Sequence, residues 1–293
     1  MALTLSLRMS ASSAPAEARR DLAVRALAED APAGDLTSEL VVPADAGCSA
    51  ELIAKASGVV SGVEIAQAVL DVAARQDGSG DVTVRWNVGD GSTVTSGDVI
   101  AAVDGPARTV LRAERVTINF LSHLSGVATL TRAFADAAGP ARILCTRKTI
   151  PGLRALEREA VLHGGGTLHR ASLTEAVLIK DNHLRIAGSV AEAVRRAKAG
   201  AVPVEVEVET LEQLDEALEA GADGILLDNP TPDLVRRAVE RVGDPERLEV
   251  SGGVTLENIG ALVQAGARLV SVGRLTHSAP ALDISLEVVH ADR

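Results

Sequence analysis

A chain of 293 residues with a formal net charge of -11 can bury a sizeable core, and its acidic balance argues against a nucleic-acid surface, which calls for a basic domain. With 46% hydrophobic and 24% charged residues the composition is that of a soluble globular protein, and no apolar run approaches the roughly 20 residues of a spanning helix, so no membrane partner is expected. Trp86, Phe120 and Phe134 are the only aromatics, which removes base-stacking platforms, and Cys48 and Cys145 lack metal-ligand spacing, which argues against a disulfide framework or a zinc site and makes a cytoplasmic setting the default.

The N-terminal MALTLSLRMSASSAPAEARR lacks a secretory signal's basic start and apolar core, because Arg8 interrupts it; residues 1–18 read as a flexible tail. From Glu17 to Glu29, Leu22, Val24, Leu27 and Ala28 suit an amphipathic helix, and the following APAGDLTSEL reads as turn chemistry. Short β-type runs in SAELIAKASGVVSGV precede a helix over Glu64 to Ala74, and residues 81–111 alternate strands with turns, giving an α+β layer. The DGSTVTSGDVI segment has the look of a biotinyl or lipoyl carrier hairpin, but residues 82–106 hold no lysine to bear the cofactor, so a structural role is expected. Ala113 to Ala138 reads as one long helix, with Val116, Phe120, Leu121, Leu124, Val127, Leu130 and Phe134 three and four apart, joining a smaller domain to a larger one.

Beyond it strand and helix alternate. The strands are ARILCTRK, AVLIKDNH, VPVEVEVE, GILLDN, LEVSGG and LVSVGRL, and the helix-like segments between the later ones each close on Gly or a turn. Parallel strands that are apolar throughout must be buried on both faces, which leaves an open doubly wound sheet or a closed barrel. Polar residues at nearly every strand end, Glu207, Asp228, Ser251 and Gly273 among them, favour the barrel, whose loops after all strands face one mouth. The dinucleotide and P-loop fingerprints G-x-G-x-x-G and G-x-x-x-x-G-K-[ST] are missing.

The stretch from Leu144 to His183 gathers Arg147, Lys148, His163, His169, Arg170, Lys180 and His183 in an acidic chain, which points to a small polyanionic ligand. Arg147, Lys148, Arg170 and Lys180 fall at or near element ends, where arginine forks match carboxylates and phosphates and lysine adds a compact charge. Glu205, Glu207 and Glu209 alternate along one strand and so point the same way, which in a barrel is inward; Glu205 and Glu209 could instead lie beyond its edge in solvent or in ion pairs. Glu207 and Asp228, one strand-and-helix unit apart, could hold Mg²⁺ or sugar hydroxyls. Ser251, Gly252, Gly253 and Gly273 put small residues at strand ends where backbone N–H groups can cradle a phosphate.

TRKTIPGLR, GGG followed by HR, LIKDNH, VEVEVE, LLDN, SGGVTLENI and LTHSAPALDISL, with ERVTINFLSHLSGVAT and GDLTSEL upstream, together resemble the quinolinate phosphoribosyltransferase family, the decarboxylating nicotinate-nucleotide pyrophosphorylases of NAD biosynthesis. The resemblance runs over nearly all of residues 30–288. It implies an N-terminal α/β sandwich (19–115, joined by 278–293), an incomplete α/β barrel (116–277), and a homodimer in which one subunit's sandwich covers the other's barrel mouth. It further implies that Arg147, His169, Arg170 and Lys180, with Arg115 of the partner, bind the carboxylates of quinolinate. Lys148, Glu207 and Asp228 would handle the ribose and pyrophosphate of phosphoribosyl pyrophosphate with Mg²⁺, and Ser251, Gly252, Gly253, Gly273 and His277 would hold the 5-phosphate. The chain departs from the family pattern at Cys145, Glu159, Leu168, Ser172 and Arg274, and Cys145 and Leu168 flank the acid-gripping residues. Rival expectations are a paralogous transferase for another aromatic or pyridine carboxylate and a non-catalytic phosphosugar-binding barrel, against which the paired Glu207 and Asp228 speak.

Overall fold

The computed structural model describes residues 14–78, 80–200 and 202–292, and within them the chain divides into two compact units. The division falls between Leu130 and Thr131, inside a helix, and not near residue 115; the first unit also takes back Ala155–Gly164 and the chain from Ala279 onward. Most of the stretch read as a tail lies outside the described residues, but Ala16 to Ala18 already form the first turn of a helix.

The first unit opens with α1 (Ala16–Asp30) and α2 (Leu36–Val41). The second of these replaces the expected turn: the Asp35 carboxylate accepts from the backbone N–H of Thr37 and Ser38, which satisfies donors that would otherwise end a six-residue helix. There follow β1 (Gly47–Ala54), β2 (Gly58–Val59), α3 (Val63–Asp77), β3 (Thr83–Trp86), β4 (Thr93–Val94) and β5 (Val99–Pro106). Along β1 the residues Cys48, Ala50, Leu52 and Ala54 alternate inward, as a half-buried strand requires. Helix α4 (Ala107–Ala138) starts at Ala107 and not at Ala113, and buries Val116, Leu121, Leu124 and Val127.

The other unit holds six parallel strands: β6 (Arg142–Leu144), then, after α5 (Arg154–His163), β7 (Val177–Ile179), then, after α6 (Asp181–Ala187) and α7 (Val190–Ala197), β8 (Val204–Val208). It continues with α8 (Leu211–Glu219), β9 (Gly224–Asp228), α9 (Pro232–Val242), β10 (Leu248–Ser251), α10 (Ile259–Gln264), β11 (Leu269–Ser271) and α11 (Arg274–His277). Thr210 and Thr231 cap α8 and α9 through their hydroxyls, and Gly243 closes α9 in the left-handed conformation. The strand order is β6-β11-β10-β9-β8-β7, an incomplete barrel in which Thr167 bridges beside Leu144 on the far side of β6.

Helix α5 was not foreseen. It is grouped with the first unit, where Glu157 meets His123 at 2.8 Å and the Ser61 hydroxyl lies 2.9 Å from His163 Nδ1. His163 is thus grouped with the first unit, and the rest of the basic stretch with the other. The last strand, β12 (Ile284–Ala291), pairs antiparallel with β1, giving the first unit a four-stranded sheet of order β12-β1-β5-β3. Cys48 and Cys145 are both buried and not joined in a disulfide, and no described helix is long and apolar enough to cross a membrane.

Candidate active site

Six parallel strands ending on one side bring their following residues to one rim. Around it the order β6-β11-β10-β9-β8-β7 places Arg147 and Lys148, then Gly273 and His277, then Ser251 to Gly253, then Asp228, Glu207 and Lys180. His169 and Arg170 follow Thr167, whose backbone exchanges hydrogen bonds with Ile143 and Cys145 at 2.7 and 3.1 Å. All of the expected site residues except Arg115 belong to this unit. Arg115 lies on α4 in the first unit with its side chain 62% exposed and Glu114 3.9 Å away.

Arg147 and Arg170 form the basic end. Arg154 holds this loop from beneath: its guanidinium donates to Thr149 Oγ1 at 3.0 Å, to the Ala171 carbonyl at 3.1 Å and to the Arg147 carbonyl at 3.4 Å. Arg170 is buried and donates to the Ala176 carbonyl at 3.0 Å. Burial, and then the neighbouring Arg147 charge, lower its pKa. The Nε of Arg147 is buried and makes no hydrogen bond, an orphaned donor in an already cationic corner. Two crowded guanidiniums with a free N–H are stabilised by an arriving anion.

Beneath lies a buried trio. His169 Nε2 is 3.4 Å from a carboxylate oxygen of Glu205 and 3.4 Å from one of Glu249, and the Ser271 hydroxyl donates to Glu249. The Arg170 backbone nitrogen lies 2.8 Å from His169 Nδ1, and Nε2 faces the two acids. Burial works against a charged ring, but Glu249 and then Glu205 push the histidine pKa up to about 10. Burial and the facing Glu249 raise the Glu205 carboxyl, whereas for Glu249 the penalty of burial is overcome by His169 and Ser271 and its pKa is lowered. The three are coupled, and the histidine keeps its proton through neutral pH.

Among the described residues this trio is the group of three potential metal ligands, with donor atoms within 4.8 Å of one another. His169 Nε2 faces both acids at 3.4 Å within it. Glu249 was missed in the sequence, although a lone acid inside an apolar parallel strand, two positions before Ser251 and so on the same face, is the signal that could have found it.

Toward the mouth the β8 acids separate: Glu205 is buried, Glu207 is half-buried and ion-paired with Lys180, and Glu209 is exposed beyond the strand end. At the next rim position Asp228 accepts from the Asn229 side-chain amide at 2.7 Å, and Gly252 approaches so closely that a Cβ there would lie 2.5 Å from Asp228 Oδ1. Gly252 and Gly253 have φ of 80° and 58°, a conformation that favours glycine. The Gly273 backbone faces both the Lys148 side chain and the His277 ring, at 3.1 and 3.4 Å from an added Cβ, and Thr276 Oγ1 donates to the Lys148 carbonyl at 2.6 Å. Lys148 thus sits with Gly273 and His277.

The departures at Cys145 and Leu168 are both buried, while Ser172 is partly exposed, its hydroxyl 2.9 Å from that of Thr174, and Arg274 is exposed. Glu159 forms a two-oxygen pair with Arg19 in the first unit, at 3.0 Å to each oxygen.

Residues 35–125 match the family model for the quinolinate phosphoribosyl transferase N-terminal domain and residues 127–287 that for the C-terminal domain. The chain is 42% identical over 268 residues to the probable nicotinate-nucleotide pyrophosphorylase [carboxylating] of Bacillus subtilis (strain 168), covering 89% of this chain and 90% of that one. It is 42% identical over 280 residues to the nicotinate-nucleotide pyrophosphorylase [carboxylating] of Mycobacterium leprae (strain TN), covering 93% and 98%. The solved nicotinate-nucleotide pyrophosphorylase from Francisella tularensis superposes with a TM-score of 0.87 at 34% identity, over 95% of this chain and 99% of that one.

Proposed function

The chain belongs to the quinolinate phosphoribosyltransferase family, and we infer from this membership that it catalyses phosphoribosyl transfer to quinolinate with decarboxylation. The products are nicotinate mononucleotide, pyrophosphate and CO₂. The ring nitrogen of quinolinate forms a bond to the anomeric carbon of phosphoribosyl pyrophosphate as the bond to pyrophosphate breaks. The 2-carboxylate then leaves as CO₂, its bonding pair passes to the ring carbon beside the cationic nitrogen, and that carbon takes up a proton.

Both substrates are polyanions, so the chain's task is to hold negative charges together and to stabilise the cationic sugar between them. Arg147, Arg170 and Lys180 grip the two carboxylates of the acid; the orphaned Arg147 Nε carries this assignment. His169 packs beneath with both ring nitrogens engaged by the protein, so it serves the acid by shaping the floor under Arg170. Glu207 and Asp228 face the ribose and pyrophosphate, and Ser251, Gly252, Gly253, Gly273, His277 and Lys148 form the phosphate end. Binding pays for orientation here: two substrates held in line gain far more than a protein nucleophile would.

Glu207 and Asp228 suit Mg²⁺ because it takes hard oxygen donors and commonly arrives with substrate phosphates on one or two carboxylates. When bound, the ion would neutralise charge on the departing pyrophosphate. Arg115, with its side chain 62% exposed and Glu114 3.9 Å away, would serve a neighbouring subunit's acid site. Helix α2 exposes Leu36, Leu40 and Val41, each at least 70% accessible, which supports a homodimer. A cytoplasmic setting fits two cysteines that form no disulfide.

The assay combines the protein with Mg²⁺, phosphoribosyl pyrophosphate and quinolinate and follows nicotinate mononucleotide and CO₂. Stoichiometric formation of both is expected. Turnover with another pyridine carboxylate alone would move the assignment to a paralogous transferase, and phosphosugar binding without turnover would make the chain a binding barrel.

A further inference from the structure

Asn229 is the sole non-glycine among the described residues with a positive φ, at 49°, and it stands directly after Asp228 at the rim. Asparagine tolerates this left-handed conformation better than most residues, yet strained backbone of this kind persists where the surroundings over-determine it. Here three contacts do so. The Asn229 N–H donates to the Ser251 carbonyl at 2.8 Å, tying the end of β9 to the end of β10. Its side-chain Nδ2 donates to Asp228 Oδ2 at 2.7 Å. Its Oδ1 lies against the bare backbone of Gly252, where an added Cβ would be 2.5 Å away.

The amide holds Asp228 Oδ2, and Oδ1 is left on the side of the Gly252 turn. The other side of that turn is held by Asn258, whose amide donates to the Gly253 carbonyl at 2.9 Å and whose Oδ1 accepts from the Thr255 N–H at 2.9 Å. The left-handed backbone at 229 presents its N–H to Ser251 and its side-chain N–H to Asp228 together. We infer that Asn229 is a positioning residue: it aims the Asp228 carboxylate at the ribose and pyrophosphate of the phosphosugar and fixes the adjoining glycine turn in the same stroke. The inference rests on the assignment of phosphoribosyl pyrophosphate to this rim.

The test compares Asn229→Gly, which keeps the backbone freedom and removes the amide, with Asn229→Ala, which strains the backbone as well. Calorimetric binding of phosphoribosyl pyrophosphate with Mg²⁺ and, separately, of quinolinate is measured for each, beside the steady-state constants and melting temperature. Asn229→Gly should weaken phosphosugar binding about tenfold or more, the usual effect of removing a group that orients a ligating carboxylate, and leave quinolinate affinity within about twofold. Repeated in an Asp228→Ala background, the Asn229→Gly effect on phosphosugar binding should vanish. Equal weakening of both ligands, unchanged phosphosugar affinity, or an undiminished effect without Asp228 would each overturn the inference. A wild type that binds phosphoribosyl pyrophosphate without turnover overturns the assigned reaction alone; one that does not bind it overturns both.

Discussion

His169 Nε2 lies 3.4 Å from Oε2 of Glu249, a buried acid two residues before Ser251 on β10. Because the histidine pKa is raised, the pairing stabilises fully below the ordinary value of 6.5 and is lost as pH rises through about 10. Glu249→Gln should therefore lower the unfolding free energy by roughly 2 kcal/mol at pH 6, in the range for a buried hydrogen bond to a charged group. The deficit should shrink steadily between pH 7 and pH 10. Denaturant unfolding of wild type and variant across that window reads it directly, and a deficit constant with pH would place the loss in packing and not in the shared protons.

Arg147→Ala separates substrate binding from stability. The orphaned Nε and the crowding against Arg170 mean that the free protein gains little from this side chain. Quinolinate affinity should fall by about 30-fold or more, as expected when one partner of a desolvated charge pair is cut away, with phosphosugar affinity nearly unchanged and Tm no lower. Arg170→Ala should also abolish acid binding and spare the phosphosugar, but at a cost in Tm, because Arg170 braces the Ala176 carbonyl. Calorimetry with each ligand and a thermal melt distinguish the two.

What the sequence made legible follows from periodicity and strand ends. The six strands announce themselves by apolar runs closing on a polar residue, and those closing residues, Glu207 and Asp228 among them, do line one rim. Glu205 and Glu209 show where period-two reasoning stops: the alternation gives a shared direction, but strand length decides that one is buried and the other exposed. Glu249 escaped because its neighbours Ser251 to Gly253 drew the segment toward phosphate binding. Helix α2 escaped because a cap such as Asp35 and turn chemistry share the same residues. His163 escaped because α5, short and amphipathic, belongs to contacts with Ser61 that are distant in sequence.

Leu40→Glu tests the apolar face of α2. A charge among Leu36, Leu40 and Val41, all exposed in the single chain, costs nothing to the monomer but opposes burial against a second copy. A homodimer through this face predicts dimers for the wild type and monomers for the variant by light scattering, with activity lost in parallel if Arg115 serves the partner's site. Dimers that persist with full activity would move the interface elsewhere.

Two glycine-to-alanine changes in helices should act with opposite signs. In a helix interior alanine is favoured over glycine by about 1 kcal/mol, so the substitution stabilises wherever the added methyl has room. At Gly260, in α10, nothing lies within 4 Å of the added Cβ, and Gly260→Ala should raise stability by up to about 1 kcal/mol. At Gly126, in α4, the same atom would overlap the Pro280 carbonyl oxygen and come 3.0 Å from Ala281 Cα, both backbone. That backbone cannot swing aside as a side chain would, because the neighbouring Leu282 N–H donates to the Ser122 carbonyl of the same helix at 2.9 Å. Overpacking of this kind costs about 1–3 kcal/mol, enough to cancel the propensity gain, so Gly126→Ala should lower Tm by several degrees. It should also loosen the return of the chain into β12, seen as faster amide exchange where β12 pairs with β1. A Gly126→Ala protein as stable as Gly260→Ala would mean that the close approach of α4 to Pro280 does not hold the C-terminal strand in place.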